Sequence, residues 1–301
     1  MCRPICVVGL RSNSKYSMMR YKTYSIFCFL MTINALSAAP VSIQGRVLDV
    51  LPEQRCLQVE LTASVDADLS VGQTLNFRVG LGDSEIGYVG RLIRAEAVQY
   101  SHAWHLERIF PIDGIGAKAM TDLSRQLRNA TATMSRRNYI REGDYIPNFA
   151  MIDQHGNFLQ MRELRGKAFV LNFIFTRCQA ATMCPAATMR MAQLQDAARE
   201  AGLEQLHFVT ITFDPEFDSP GILRQYAAAY GLEHTNFHLL TATQSLVDDL
   251  LRQFGILTMD EDGTINHTMA TLLIDANGRV ALRKEGSRWA VETFLQEAMQ
   301  L

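Results

Sequence analysis

Two cysteines in the second half of the chain have the residue type and spacing for metal or redox chemistry. Cys178 and Cys184 are separated by five residues, and Pro185 follows directly. Two thiols this close can form a disulfide or offer two soft ligands to one metal ion. Proline is favoured at the first helical position, so we expect a helix from Pro185 with Cys184 as its N-cap. The helix field would stabilise a thiolate there, which makes both cysteines candidate catalytic residues.

Two less reactive interpretations of this pair stay open from the residues alone. The thiols could form a structural disulfide, or they could be two unrelated, half-buried side chains. The chain has six cysteines, of which Cys2, Cys6 and Cys28 fall in the N-terminal leader and Cys56 stands alone. One close pair and one odd cysteine do not make a disulfide framework. We predict that Cys56 is a buried apolar filler in its strand.

An α/β domain over residues 143–301 is predicted to position the pair. Residues 168–175 form a continuous apolar run of strand length, typical of a central buried strand, and 206–213 is a second such run. Helices are expected at 185–201, 220–230, 242–254 and 289–299, and further strands at 237–240, 269–275 and 280–284. Alternation of strands and helices favours an α/β fold. The pair would then lie in a strand-to-helix loop.

A small all-β domain is predicted upstream, over residues 41–112. Its expected strands are 41–51, 56–63, 73–79, 87–95 and 103–110. Five short strands favour a small barrel or an OB-like module. This segment contains no methionine, and we interpret His102 and His105 as exposed residues of an edge strand. Residues 113–142 are predicted to form a solvated linker helix with a basic face.

The N-terminus, residues 1–39, is typical of a signal peptide. Arg20 and Lys22 precede an apolar run at 25–36, and small residues follow at 37–39. The run is shorter than the roughly 20 residues that span a membrane, although an uncleaved N-terminal anchor is the alternative and would keep the protein close to the membrane. We therefore expect an exported protein of the periplasm or the periplasmic face of the inner membrane. The net charge of −2 and the absence of long basic runs argue against nucleic-acid binding.

Residues 143–301 resemble the Sco/SenC family of thioredoxin-fold proteins. The matching segments, in chain order, are GKAFVLNFIFTRC (166–178), CP (184–185), TITFDPEFDSP (210–220), LRQYAAAYG (223–231) and NHTMATLLID (266–275). Each motif alone is modest, but their order over nearly the whole domain is specific. The fold class expected from this resemblance is α/β, with a thioredoxin-like domain behind the small all-β module.

The resemblance implies a copper site with Cys178, Cys184 and His267 as ligands for one ion, Cu(I) or Cu(II). It also implies work in cytochrome oxidase copper-site assembly or in thiol–disulfide exchange. One departure is clear, because the family has three residues between the cysteines and this chain has five. Asp214 lies in the family's acidic loop, which makes it a weaker candidate for a residue next to the ligands. We interpret Asp218 as structural, because either Asp218 or Ser219 would cap the helix that begins with Pro220.

The leading hypothesis is an exported copper-binding accessory protein that hands copper or reducing equivalents to an envelope partner. That partner would be the copper-site subunit of a respiratory oxidase or another thiol protein. The alternative is an enzyme, a thiol–disulfide oxidoreductase or a thioredoxin-like peroxide reductase without a metal role. A third hypothesis is an interaction module in which the barrel binds a partner and the thiols have no function.

Overall fold

The computed structural model describes residues 39–101, 103–135, 137–232, 235–261 and 264–301, with the side chains of 260–266 left out. The predicted leader and His102 fall outside these ranges, apart from Ala39. No helix in the described ranges is both long and apolar enough to cross a membrane. The barrel and the second domain described below form one compact unit.

A closed five-stranded barrel forms the first part of the chain. Its strands are β1 (Val41–Leu51), β2 (Cys56–Ser64), β3 (Thr74–Arg78), β4 (Leu92–Tyr100) and β5 (Ala103–Pro111), and the helical turn α1 (Leu81–Ser84) follows β3. The strand order is β1-β2-β3-β5-β4, and β1 closes the barrel by pairing with both β2 and β4. Alternate side chains, among them Val47, Val59 and Phe77, fill the interior and are fully buried.

Three expectations for this region were wrong in detail. The fourth strand begins at Leu92 rather than at residue 87, because a turn around Gly90, with a left-handed φ of 79°, precedes it. Cys56 is half-buried rather than buried, and its thiol donates to the carbonyl of Gln54. His105 is half-buried, not exposed, and meets the Tyr100 ring edge-on.

The second domain is built on a seven-stranded sheet. Its strands are β6 (Ala150–Asp153), β7 (Phe158–Gln160), β8 (Phe169–Ile174), β9 (His207–Thr212), β10 (Phe237–Thr241), β13 (Ala270–Ile274) and β14 (Val280–Glu285), and the pair β11 (Thr258–Glu261) and β12 (Thr264–His267) forms a separate hairpin. The sheet order is β14-β13-β8-β9-β10-β6-β7. The three strands β8, β9 and β10 are parallel, and all six residues of β8 and of β9 are buried.

Helices cover both faces of this sheet, which explains why its central strands are continuously apolar. They are α2 (Gly114–Thr133), α3 (Cys184–Glu200), α4 (Pro220–Ala229), α5 (Gln244–Phe254) and α6 (Val291–Ala298). One core takes Met191, Leu223 and Phe294 from α3, α4 and α6. The other takes Leu250 from α5 and Leu127 from α2.

The predicted linker helix therefore belongs to the second domain and is not simply solvated. Leu127 is buried in the core, and Arg128 forms an ion pair of 2.9 Å with Asp249 of α5. The helix was predicted from its periodicity, whereas its contact surface depends on α5, more than a hundred residues later. The hairpin β11–β12 was not predicted, because its polar sequence is typical of a loop.

The barrel contacts the second domain through α1 and α4. Gly82 crosses Gly221 so closely that a Cβ added to Gly82 would lie 2.0 Å from the Gly221 carbonyl oxygen. Arg224 binds Glu85 at 2.9 Å on the same side. Asp83 is buried in this contact, and the Tyr88 hydroxyl donates to it at 3.3 Å.

The buried carboxyl of Asp83 leads to a prediction about pH. Burial raises the pKa of Asp83 to about 7, so the folded protein binds its proton more tightly than the unfolded chain does. The stabilising effect of that proton is complete below pH ~4 and is lost as the pH rises to about 7. We expect Asp83→Asn to raise the free energy of unfolding at pH 8, by at most ~4 kcal/mol, and to change it little at pH 4.5. Urea unfolding at both pH values measures this.

Asp68→Asn, at an exposed site of the barrel, is the matched control and should leave the pH dependence unchanged. The assignment to Asp83 is wrong if Asp83→Asn and the wild-type protein lose the same stability between pH 4.5 and pH 8.

Candidate metal centre

The thiol loop joins the end of β8 to the start of α3. Cys178 follows β8 by four residues, and its backbone N–H donates to the Phe175 carbonyl at 3.3 Å. Cys184 is the first residue of α3, with Met183 as the N-cap and Pro185 in the second helical position. The predicted N-cap is thus one residue too late, since proline is accommodated throughout the first turn, where its missing N–H has no helical partner.

The two sulfurs and one imidazole converge on a single point. The ligand atoms of Cys178, Cys184 and His267 all lie within 4.8 Å of one another. The Cys184 Sγ is 3.6 Å from the His267 Nε2. Cys184 is fully buried, whereas Cys178 and His267 are half-buried, so the site opens to solvent on the Cys178 side. The five-residue spacing therefore does not keep the sulfurs apart, and the loop forms a turn in which Met183 donates to the Ala180 carbonyl at 2.9 Å.

His267 is the last residue of β12, so a hairpin that the sequence did not reveal delivers it to the thiols. Its ring packs against Phe213 and Phe175, with centroids 4.5 and 5.8 Å away. Its Nδ1 is 3.1 Å from the Thr268 carbonyl, which can only accept, so Nδ1 carries the proton and Nε2 presents a lone pair to Cys184. Burial lowers the pKa of His267 and keeps the ring neutral.

The pKa of Cys184 is shifted upward, opposite to the direction expected from the sequence. Burial raises the pKa of the Cys184 thiol well above its ordinary value and outweighs the backbone hydrogen bonds from Phe175, directly after β8, and from Cys184 itself at the helix start. The nearby Cys178 sulfur acts in the same direction. The prediction of a helix-stabilised thiolate at Cys184 is therefore wrong for the metal-free protein. A metal ion would have to displace the Cys184 proton on binding.

Asp214 contacts the thiol loop through Arg177. The Arg177 guanidinium donates to Asp214 Oδ2 from Nε at 2.9 Å and from Nη2 at 2.6 Å. The same guanidinium lies 4.6 Å above the ring of Phe217. Asp214 thus holds the residue that precedes Cys178, which is consistent with a position next to the ligands.

Asp218 is structural, as its sequence context indicated, and it also connects the thiol loop to β9 through hydrogen bonds. Its fully buried carboxylate accepts the Thr176 backbone N–H at 3.1 Å and the hydroxyls of Thr176 and Thr212. It therefore ties Thr176, the second residue of the thiol loop, to Thr212 at the end of β9. Burial raises its pKa to about 6. Ser219, not Asp218, is the N-cap of α4.

Ser287 is a contact that the sequence gave no means of finding. Its hydroxyl, in the connection between β14 and α6, donates to the Thr182 carbonyl at 2.6 Å. Thr182 lies in the long loop between the cysteines, whose residues 179–182 are exposed. A hydrogen bond between residues 105 positions apart carries no local sequence signal.

A family profile described as SCO1/SenC matches residues 137–296, just over half of the 301 residues. The SCO1 protein homolog of Bacillus subtilis is 29% identical over 139 residues, which cover 45% of this chain and 70% of the relative. A protein of Stutzerimonas stutzeri named for copper binding is 27% identical over 138 residues, covering 44% of this chain and 65% of the relative. The chain thus spans about two thirds of these relatives' own length.

A solved structure gives the same result for the fold. A SCO1/SenC family lipoprotein of Bacillus anthracis is 28% identical, with a TM-score of 0.50, covering 54% of this chain and 98% of that protein. The barrel lies outside the family match, which begins at residue 137. The resemblance inferred from the motifs is confirmed for the second domain, and the chain belongs to the SCO1/SenC family.

Proposed function

We propose that this protein is an exported copper-binding accessory protein that serves the assembly of a respiratory oxidase copper site. The observation that carries the proposal is the convergence of Cys178, Cys184 and His267 within 4.8 Å. Two thiolates and a neutral imidazole form a donor set that suits copper, since thiolates select Cu(I) and imidazole accepts either oxidation state. The name of the Stutzerimonas stutzeri relative supports the same metal.

The three residues would divide the work by their burial. Cys184 and His267 would hold the ion from the protein side, because the first is buried and the second is fixed between aromatic rings. Cys178, half-buried and on a loop, is the ligand that a partner can reach and replace during transfer. Oxidation of the two thiols to a disulfide would release two protons and two electrons to an oxidant and would remove both sulfur ligands together.

The first test compares reduced and oxidised protein. We expect the reduced chain to bind one equivalent of Cu(I) and the disulfide form to bind none at this site. Equilibrium dialysis against a Cu(I) chelator, followed by metal analysis, measures both. The proposal is wrong if the two forms bind copper equally, or if the reduced form binds none.

Ser287 provides a second test that depends on the long loop. We expect Ser287→Ala to lower the Cu(I) affinity by roughly tenfold, because the Thr182 carbonyl loses its hydrogen bond and the loop no longer holds the cysteines together. Ser287→Thr, which keeps the hydroxyl, should restore most of the affinity, and Ser70→Ala on the barrel is the neutral control. An unchanged affinity in Ser287→Ala would contradict this role.

A second candidate function is thiol–disulfide exchange without a metal. The adjacent sulfurs favour it, and the half-buried Cys178 would attack first because the Cys184 thiol is buried and protonated. Insulin reduction and peroxide turnover measure this activity. Turnover by metal-free protein that binds no copper would favour this candidate over the first.

The location, the partner and the class of the barrel belong to the same proposal. The leader predicted at residues 1–39 supports export to the periplasm or to the periplasmic face of the inner membrane, where the copper-site subunit of a respiratory oxidase or an envelope thiol protein would be accessible. The Greek-key order of the five barrel strands supports an OB-fold. Fractionation of cells for the full-length protein tests the location.

A further inference from the structure

Two histidines meet at the opposite end of the central sheet from the thiols. His207 begins β9, and His238 lies in the neighbouring parallel strand β10. The His207 Nδ1 is 3.2 Å from the His238 Nε2, and the two ring planes are within 3° of parallel. The thiol loop follows the other end of β8, so the length of a six-residue strand, about 20 Å, separates the two places.

We propose that His207 and His238 form a second metal site, which binds one Cu(II) ion. The two facing nitrogens lie 3.2 Å apart. If each binds the same ion at about 2.0–2.1 Å, the nitrogen–metal–nitrogen angle is about 100–105°. That angle lies between the tetrahedral and the square-planar values. The ring centroids are 5.4 Å apart, so the two nitrogens now face each other, and both rings must turn slightly for their lone pairs to meet at one ion. Imidazole nitrogen suits copper, which binds most tightly among the divalent first-row metals. Water would fill the remaining positions.

Hydrogen bonds fix the backbone of both histidines before any metal arrives. The Gln154 side chain donates to the Phe237 carbonyl at 2.8 Å and accepts from the Leu239 N–H at 2.9 Å, so it fixes the strand on both sides of His238. His207 is held by its own N–H, which donates to the Ala168 carbonyl at 3.0 Å. The two strands therefore need not move on binding, and only the imidazole rings turn, which favours affinity.

Both rings are in the form that a metal needs. Burial lowers the pKa of each ring to about 4, so both imidazoles are neutral at neutral pH and only the proton of their mutual hydrogen bond lies between the facing nitrogens. The positive charges of Lys167 and, for His238, of His155 act in the same direction. These charges also oppose a cation, so we expect weaker binding here than at the thiols. The proton shared between the rings moves to an outer ring nitrogen when the ion enters, and no net proton is released.

The test removes the first site and looks for the second. Full-length protein carrying Cys178→Ser, Cys184→Ser and His267→Ala is titrated with Cu(II). We expect one equivalent to bind, with nitrogen couplings from two imidazoles in the electron paramagnetic resonance spectrum. His238→Ala in this background should lower the affinity at least tenfold. His105→Ala, at a half-buried histidine of the barrel, is the matched control and should change nothing.

His207→Gln guards against loss of the fold, because it keeps a polar side chain of similar size at a buried position. Circular dichroism and the urea midpoint confirm that each variant is folded. The proposal is overturned if the background protein binds no copper, or if its binding survives both His207→Gln and His238→Ala. It is also overturned if His105→Ala weakens binding as much as they do. Because the thiols are absent throughout, the result is independent of the proposed function at the first site.

Discussion

Replacing Cys184 with serine is expected to abolish tight Cu(I) binding. The hydroxyl is a hard donor that remains protonated, and it would leave Cys178 and His267 as the only ligands of the converging set. Changes outside the ligand shell cost about 10- to 100-fold in metal affinity, so the loss of a buried thiolate ligand should exceed ~100-fold. Competition with a Cu(I) chelator of known affinity measures the change.

The matched comparison is His267→Ala, which leaves both sulfurs in place. We expect a smaller loss of Cu(I) affinity in this variant than in Cys184→Ser, because two thiolates suffice to hold Cu(I), whereas Cu(II) binding should suffer more. Cys56→Ser, far along the chain in the barrel, should bind copper as the wild-type protein does. Equal copper binding by Cys184→Ser and the wild-type protein would rule out the metal centre described here.

Gly82→Ala, at a buried position in α1, is expected to destabilise the fold. The new methyl carbon would lie 2.0 Å from the Gly221 carbonyl oxygen and 2.8 Å from its carbon, and both are backbone atoms that cannot rotate away. Overpacking of this kind costs about 1–3 kcal/mol, and here it falls on the contact between α1 and α4. We expect a lower urea midpoint and faster hydrogen exchange in α1 and the first turn of α4.

Gly87→Ala is the control, because a Cβ at Gly87 meets nothing within 4 Å and lies in the same connection of the barrel. It should leave the midpoint and the exchange rates unchanged. If Gly82→Ala is as stable as Gly87→Ala, the close approach of the barrel to α4 is not present in solution.

The predicted elements of the second domain agree with the observed ones wherever a local pattern defines them. The helix expected at 185–201 spans Cys184–Glu200, and the strand expected at 168–175 spans Phe169–Ile174. Apolar runs and a proline in the first helical turn are properties of neighbouring residues, so the sequence shows them directly. The fourth barrel strand and the β11–β12 hairpin were misplaced or missed, because turn geometry and polar strands give weak local signals.

The amino-acid sequence by itself determined the secondary structure of the thiol loop's two flanking elements, the order of the family motifs and the identity of three candidate ligands. Only the tertiary structure decided that the Cys184 thiol is protonated, because its pKa depends on burial by residues from distant segments. It alone brought His267 within 3.6 Å of a cysteine 83 positions earlier and placed His207 beside His238. Distances and desolvation arise from packing between elements, which no short stretch of sequence contains.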